Sequence, residues 1–203
     1  SILLFRQTCF SLILSMTIIL LLGPSALSNL QAQTYSIPYC ENFDNDGSFP
    51  ADWIRYSNWD GSQYPYVNYS NFRSCHGSLV LYSGDFVNSY SMAVSPQLST
   101  SNISTLQIAF FGRVMEMATA SMEVGVLTNA NDPGSFIPID TVTVSASESW
   151  SYFSVSLASY SGSARRIGFR VAHTNANQSS HFFYIDDLSI TSSDSGPNIT
   201  FEN

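Results

Sequence analysis

The feature that most constrains the fold of this chain is an alternation of apolar and other side chains after residue 100. Period-two patterns rich in β-branched and aromatic residues predict half-buried strands. Five segments carry the pattern, at Leu106, Ile108 and Phe110, at Met122, Val124 and Val126, at Val142 and Val144, at Phe153, Val155 and Leu157, and at Ile167, Phe169 and Val171. No helical stripe occurs beyond residue 33. The sequence therefore predicts an all-β fold, a β-sandwich of the jelly-roll type.

Residues 1–33 have the features of a secretory signal peptide. Arg6 precedes an apolar run at residues 10–22, Gly23 and Pro24 end the run, and small residues offer a cleavage site within residues 26–33. The alternative is a retained membrane anchor, but the run is short for a transmembrane span. We therefore expect one mature domain at residues 34–192, secreted or on the outer cell surface, with no stable membrane span.

The charge of the chain is acidic and sparse. Seven basic residues, all Arg, stand against 15 acidic residues, which gives a formal net charge of -8. A nucleic-acid-binding protein needs a basic face, and an anionic membrane surface would also repel this chain. The composition therefore excludes nucleic acid as a partner and fits either solubility or cation binding.

Two cysteines, Cys40 and Cys75, remain once Cys9 in the signal segment is set aside. A lone pair in an exported chain is most simply a disulfide. The alternative is a pair of free, buried thiols. We expect the Cys40–Cys75 disulfide and no reactive thiol.

Acidic residues crowd both ends of the predicted domain, in the segments CENFDNDG at residues 40–47 and FFYIDDLSI at residues 182–190. Carboxylates beside apolar strands resist dehydration unless something positive neutralises them. A hard divalent cation such as calcium, bound by oxygens, would do this. The alternative is an ordinary strand whose two aspartates face solvent.

In the last segment, the alternation of apolar residues changes from odd-numbered to even-numbered positions at the two aspartates, Asp186 and Asp187. The apolar pairs on either side are Phe183 with Ile185 and Leu188 with Ile190. A β-bulge at the aspartates would bring both pairs into the core, and bulges often re-aim a side chain toward a site. We therefore predict a bulge there.

Four segments together resemble a known group of domains: CENFD at residues 40–44, PADW at 50–53, AVSPQL at 93–98 and YIDDL at 184–188. They are similar to the MAM-like jelly rolls, and within them to the cleaved-adhesin and "choice-of-anchor J" domains of Bacteroidetes surface proteins. The resemblance spans about residues 35 to 192. It implies a galactose-binding or MAM-like jelly roll, often calcium-bound. Such domains bind proteins, glycans or haem-containing ligands, or accompany a separate catalytic domain.

The resemblance also implies which residues would bind calcium. By position, Glu41, Asp44 and Asp187 are the leading ligands, with Asp186 behind them. Asp46 is an alternative to Asp44, because the sequence does not fix which of the two points inward. The ion would be a structural cofactor.

Aromatic residues crowd the segment from residue 53 to residue 72, interleaved with amides and carboxylates. Exposed rings flanked by polar groups suit sugars, and tyrosine and tryptophan also serve as protein-interface anchors. Trp53 is expected in the core, whereas Trp59 and Tyr64, beside Gly61 and Pro65, are expected in a ligand-binding loop. The alternative is that these rings fill the sandwich core.

The sequence offers no convincing catalytic site. The histidines are His76, His173 and His181, and we expect the last two at the surface, around a polar loop. Residues 193–203 resemble a linker or the start of a further domain. We expect an adhesin-type module that binds an extracellular protein or glycan and is not an enzyme. The alternatives are a carbohydrate-binding accessory domain of a larger hydrolase and a structural spacer.

Overall fold

The computed structural model describes residues 33–44, 47–59, 64–74, 76–115, 119–145, 149–175 and 178–193. Contacts separate the chain into Ser1–Gln33 and Thr34–Asn203. The predicted signal peptide and the predicted linker therefore lie outside the described residues, except for Gln33 and Ser193. Within the described ranges, no helix has the length and hydropathy needed to cross a bilayer.

The described residues form strands joined by turns, with two short 3-10 turns at Ile103–Thr105 and Pro133–Ser135. The strands are β1 Thr34–Tyr35, β2 Tyr39–Glu41, β3 Ile54–Ser57, β4 Tyr66–Asn68, β5 Ser78–Tyr82, β6 Tyr90–Val94, β7 Gln97–Leu98, β8 Leu106–Val114, β9 Ala120–Leu127, β10 Phe136–Val144, β11 Ser151–Ser156, β12 Arg166–Ala172 and β13 Phe182–Ser192. The five alternating segments predicted as strands are β8 to β12, although Leu157 lies one residue beyond β11.

Two antiparallel sheets make up the sandwich. One has the order β10-β9-β12-β6-β3, and the other has the order β11-β8-β13-β5-β4 with β2 also paired to β13. A short parallel pair, β1 with β7, lies apart from both. Apart from the consecutive pairs β9 with β10 and β4 with β5, the neighbours in each large sheet are not consecutive in sequence, as expected for a jelly roll. The predicted all-β sandwich is confirmed.

The core lies between the two sheets because the apolar face of each strand points inward. Phe169 of β12 contacts rings from the other layer and from the segment before β3. Its centroid lies 5.7 Å from that of Phe110 on β8 and 6.2 Å from that of Trp53. Trp53 is buried, as predicted. Burial of these large rings from both layers fixes how the sheets stack.

The last strand carries the predicted bulge. The register of β13 against β8 shifts between Asp186 and Ser189, and Asp187 adopts a φ of 49°. All four apolar neighbours of the two aspartates are fully buried: Phe183, Ile185, Leu188 and Ile190. The extra residue of the bulge, at the aspartates, therefore lets the apolar residues on both sides point into the core.

The outer face of the five-stranded sheet has a small apolar layer of its own, made by Met92, Val94, Leu127 and Phe136. Two glycines make room for it. A Cβ at Gly168 would lie 2.7 Å from Cε2 of Phe136, and a Cβ at Gly125 would lie 2.2 Å from the carbonyl oxygen of Ile137. Neither position has space for a larger residue without movement of β10.

Candidate functional site

The two acidic motifs lie on neighbouring strands, β2 and the last strand, β13. β2 pairs antiparallel with β13, so that Glu41 lies opposite Leu188 and Tyr39 lies opposite Ile190. The pairing brings the CENFD and YIDDL segments side by side in the six-stranded sheet, in which β13 is an interior strand. Their carboxylates, however, are engaged by different donors.

Asp186 is fully buried and is held by backbone N–H groups. One carboxylate oxygen accepts hydrogen bonds from the N–H groups of Arg73 at 2.7 Å and Ser74 at 3.1 Å. The other oxygen accepts one from the N–H of Asp187 at 2.7 Å. Burial raises the pKa of Asp186 to about 7, although all three N–H groups favour the charged carboxylate.

Asp187 is buried too, and it is neutralised by Arg73. The guanidinium of Arg73 forms an ion pair with one oxygen of Asp187, and the hydroxyl of Ser74 donates to the other. The same guanidinium lies 3.6 Å from the ring centroid of Phe111, within cation–π range. Sequence reasoning missed Arg73. Its only signal was that it is an isolated cation in an aromatic segment of an acidic chain.

Glu41 and Asp44 have donors of their own. The carboxylate of Glu41 accepts from the N–H of Phe43 at 3.0 Å and from the hydroxyl of Tyr39 at 3.1 Å, and burial raises its pKa. The carboxylate of Asp44 accepts from the N–H of His76 and from the side-chain amide of Asn42, both at 2.7 Å. These carboxylates therefore organise the loop after β2.

Among the described side chains, no three His, Cys, Asp or Glu converge where an ion could bind. The carboxylates of Asp186 and Asp187 face N–H donors and a guanidinium, and a guanidinium already supplies the positive charge that calcium would bring. Asp46, the alternative ligand, lies outside the described residues. Calcium binding stays a prediction from the sequence motifs.

The predicted disulfide also stays a prediction. Cys40 on β2 is exposed and has a free thiol in the structure. Cys75 lies outside the described residues. The structure therefore describes only one of the two sulfurs.

The prediction that His173 and His181 lie at the surface is wrong. Both are buried, at 5% and 1% exposure. His173 Nδ1 lies 3.0 Å from the carbonyl oxygen of Gly84, and the backbone N–H of His181 donates to the hydroxyl of Ser83 at 3.0 Å. Both residues pack against the β5–β6 connection, a long-range contact that their polar local sequence does not reveal.

Five aromatic rings form a cluster that we call the aromatic platform: Trp59, Tyr64, Tyr66, Tyr82 and Phe182. Three of them come from the neighbouring strands β4, β5 and β13. Tyr64 is central, with its centroid 5.0 Å from that of Tyr66, 5.1 Å from that of Tyr82 and 5.8 Å from that of Phe182. The Trp59 ring completes the cluster, 5.4 Å from that of Tyr82.

The rings of the platform are half-buried, except for the buried Tyr82. Trp59 and Tyr64 thus pack on neighbouring rings and still reach solvent. Their burial is intermediate between the ligand-binding loop and the sandwich core, the two positions considered from the sequence. Burial raises the pKa of Tyr64 to about 12. Polar groups border the rings: the amide of Asn68 donates to the hydroxyl of Tyr66 at 3.4 Å, and the hydroxyl of Tyr82 donates to Asp85.

No protein-family model matches the chain, and none of the curated proteins matches it. Solved structures do. The K1 cleaved adhesin domain of Lys-gingipain from Porphyromonas gingivalis is 17% identical, with a TM-score of 0.60 over 76% of this chain and 98% of that domain. The K3 cleaved adhesin domain of the same protein is 18% identical, with a TM-score of 0.57 over 75% and 96%. The chain has the cleaved-adhesin fold.

The fold of this chain is also similar to that of a carbohydrate-binding module. The CBM22-1 xylan-binding domain of Paenibacillus barcinonensis Xyn10C is 12% identical, with a TM-score of 0.52 over 80% of this chain and 98% of that domain. These comparisons confirm the resemblance that the sequence motifs indicated, at the level of the fold. They assign no ligand to this chain.

Proposed function

We propose that this chain is a secreted or cell-surface, adhesin-type module that binds an extracellular protein or glycan through the aromatic platform. The observation that carries the proposal is the platform itself. Its rings, all half-exposed except Tyr82, offer flat apolar surface at a low entropic cost, because the sheet and the neighbouring rings already hold them in place. The proposal assigns no catalytic residue.

A glycan is the ligand that the surroundings of the platform favour. Sugar rings present apolar C–H faces that stack on aromatic rings, and their hydroxyls need acceptors and donors nearby. Asp85 and the Asn68 amide, which contact platform hydroxyls, provide such groups. The fold neighbours include adhesin domains and a xylan-binding domain. The same support applies to the second candidate, an accessory carbohydrate-binding domain of a larger secreted hydrolase.

The platform is tested by glycan-array and cell-surface binding of the purified protein and of Trp59→Ala and Tyr64→Ala variants. We expect either variant to weaken binding roughly ten- to a hundredfold, since stacked aromatic anchors are commonly the dominant contacts of an interface. Tyr152→Ala is the matched control, because Tyr152 is an exposed ring (54%) on β11 of the same sheet, outside the platform. Unchanged binding in both platform variants would contradict the proposal. A wild-type protein that binds nothing would leave the spacer alternative.

Calcium stabilisation is the part of the proposal that is supported by the sequence motifs alone. After chelation, calorimetric titration of calcium should show binding that Asp187→Ala removes and Arg73→Gln preserves, because only the first change deletes an oxygen ligand. A ligand that binds only the native state also raises the melting temperature. No binding to a verified metal-free sample, together with no shift at millimolar calcium, would count against the ion and leave the platform proposal intact.

A further inference from the structure

A cleft of about 650 Å³ opens beside β1 and β2. Its walls include four aromatic side chains, Tyr35, Tyr39, Phe49 and Trp53, and two carboxylates, Glu41 and Asp52. The volume falls within the rough 300–1,000 Å³ range of small-ligand sites. The cleft shares no residue with the aromatic platform, so its ligand goes beyond the proposed function and does not depend on binding by the platform. It shares Glu41 with the calcium ligands that the sequence predicts.

The inner part of the cleft is held by a chain of hydrogen bonds. The indole Nε1–H of Trp53 donates to the hydroxyl of Tyr39 at 2.8 Å, and this hydroxyl donates to the carboxylate of Glu41 at 3.1 Å. The N–H of Phe43 donates to the other oxygen of Glu41 at 3.0 Å. Because Trp53 and Tyr39 are both buried, they fix the position of the half-buried carboxylate.

The outer part of the cleft faces solvent. The half-exposed Tyr35 donates its hydroxyl hydrogen bond to the exposed Asp52. Its ring meets the Tyr39 ring edge-on, with centroids 5.6 Å apart and an interplanar angle of 84°. A ligand entering from solvent would therefore meet Asp52 and the Tyr35 ring first and Glu41 behind them.

The charge of the cleft selects the ligand. Its wall residues, all of them described, include no Lys, Arg or His. The guanidinium of Arg55 lies 5.6 Å from the Phe49 ring centroid but is not a wall residue. Two carboxylates among four rings attract a cation, since aromatic faces and carboxylates both stabilise positive charge. An anionic ligand would be repelled, and a neutral one would bring no counter-charge to either carboxylate.

We propose that this cleft binds the ammonium group of a lysine side chain on a partner protein, between the carboxylates of Asp52 and Glu41 and against the Tyr35 ring. A lysine fits because its apolar stem can contact the aromatic walls while its ammonium group, a more compact charge than a guanidinium, reaches between the carboxylates. A second copy of this chain has no lysine to offer, since all seven basic residues are Arg. The partner is therefore a different protein.

The test is a titration of the purified protein with Nα-acetyl-lysine methylamide, followed by the indole N–H signal of Trp53 in NMR spectra. We expect a saturable shift that weakens as salt is added, because the contact is electrostatic. The matched norleucine derivative, which lacks the ammonium group, should produce no shift. An equal shift from the norleucine derivative, or no shift from the lysine derivative at high millimolar concentration, would overturn the proposal.

Three variants locate the binding. Asp52→Asn, at an exposed position that should not affect folding, is expected to weaken binding roughly three- to tenfold. Asp140→Asn, an exposed carboxylate on β10, is the charge-matched control and should leave binding unchanged. Trp59→Ala in the aromatic platform should also leave it unchanged, which separates a failure of this proposal from a failure of the proposed function. Equal weakening by Asp52→Asn and Asp140→Asn would mean that only the overall charge of the protein attracts the probe.

Discussion

At the scale of single residues, Arg73 forms an ion pair with Asp187, one of the residues that the sequence motifs predict as calcium ligands. Its guanidinium neutralises Asp187, whose side chain is only 4% exposed, and it lies against the Phe111 ring. The backbone N–H groups of Arg73 and Ser74 satisfy the neighbouring Asp186. One short segment thus compensates both aspartates of the bulge.

Replacing Arg73 by Ala should therefore destabilise the domain by about 2 to 3 kcal/mol, because it leaves a buried carboxylate without its cation. Chemical unfolding in urea measures the loss. Arg170→Ala is a matched control: Arg170 also pairs with a carboxylate, Glu123, and also lies over a ring, Phe136. Its partner's side chain is 31% exposed, however, so a loss of about 1 kcal/mol or less is expected. Equal losses in the two variants would contradict the role given to burial.

A second residue-scale prediction concerns Cys40. If it pairs with Cys75, a thiol reagent will not modify the native, unreduced protein, and modification will appear after reduction. Mass spectrometry of the labelled protein reads out both states. The exposed position of Cys40 lets a reagent reach a free thiol there. Because partial burial raises the pKa of this thiol, the labelling is done at alkaline pH, where a free thiol would form the reactive thiolate. Labelling of Cys40 before reduction would rule out the disulfide.

At the scale of elements, the close contact of β9 and β10 depends on a missing side chain. A Cβ at Gly125 would lie 2.2 Å from the carbonyl oxygen of Ile137, a backbone atom that cannot rotate away. Gly125→Ala should therefore cost about 1 to 3 kcal/mol or shift β10.

Thermal unfolding compares this variant with Gly134→Ala. Gly134 is exposed, and the atom nearest its added Cβ, at 3.1 Å, is a side-chain oxygen of Asp132. We expect the control to change stability by about 0.5 kcal/mol or less. A melting temperature for Gly125→Ala equal to that of the control would show that β10 can shift with little loss of stability.

The strands themselves were predictable because their signal is local. β8 to β12 each carry a period-two pattern that decides which face is buried. The bulge in β13 was predictable for the same reason, since its apolar residues change from odd-numbered to even-numbered positions at Asp186 and Asp187. The short strands β1 and β7 carry too few residues for a pattern, and their pairing depends on contacts 63 positions apart, from Thr34 to Gln97.

At the scale of the whole molecule, the site was less predictable than the fold. Trp59 and Tyr64 could be selected from composition, but Phe182 and Tyr82 join them only because β13 pairs with β5. Arg73 meets Asp187 across 114 residues of sequence. Such contacts depend on the order of strands in the sheet, which the period of a single strand does not encode.

The pairing of β2 with β13 has a consequence for how the domain is connected. Tyr39 and Ile190 are partners in the same ladder, so the strands that open and close the sandwich lie side by side. A domain with adjacent ends can be inserted into a loop of another protein without separating the flanking chain. It should also tolerate circular permutation, with the old ends linked and new ones opened at the exposed turn at residues 128–132 between β9 and β10.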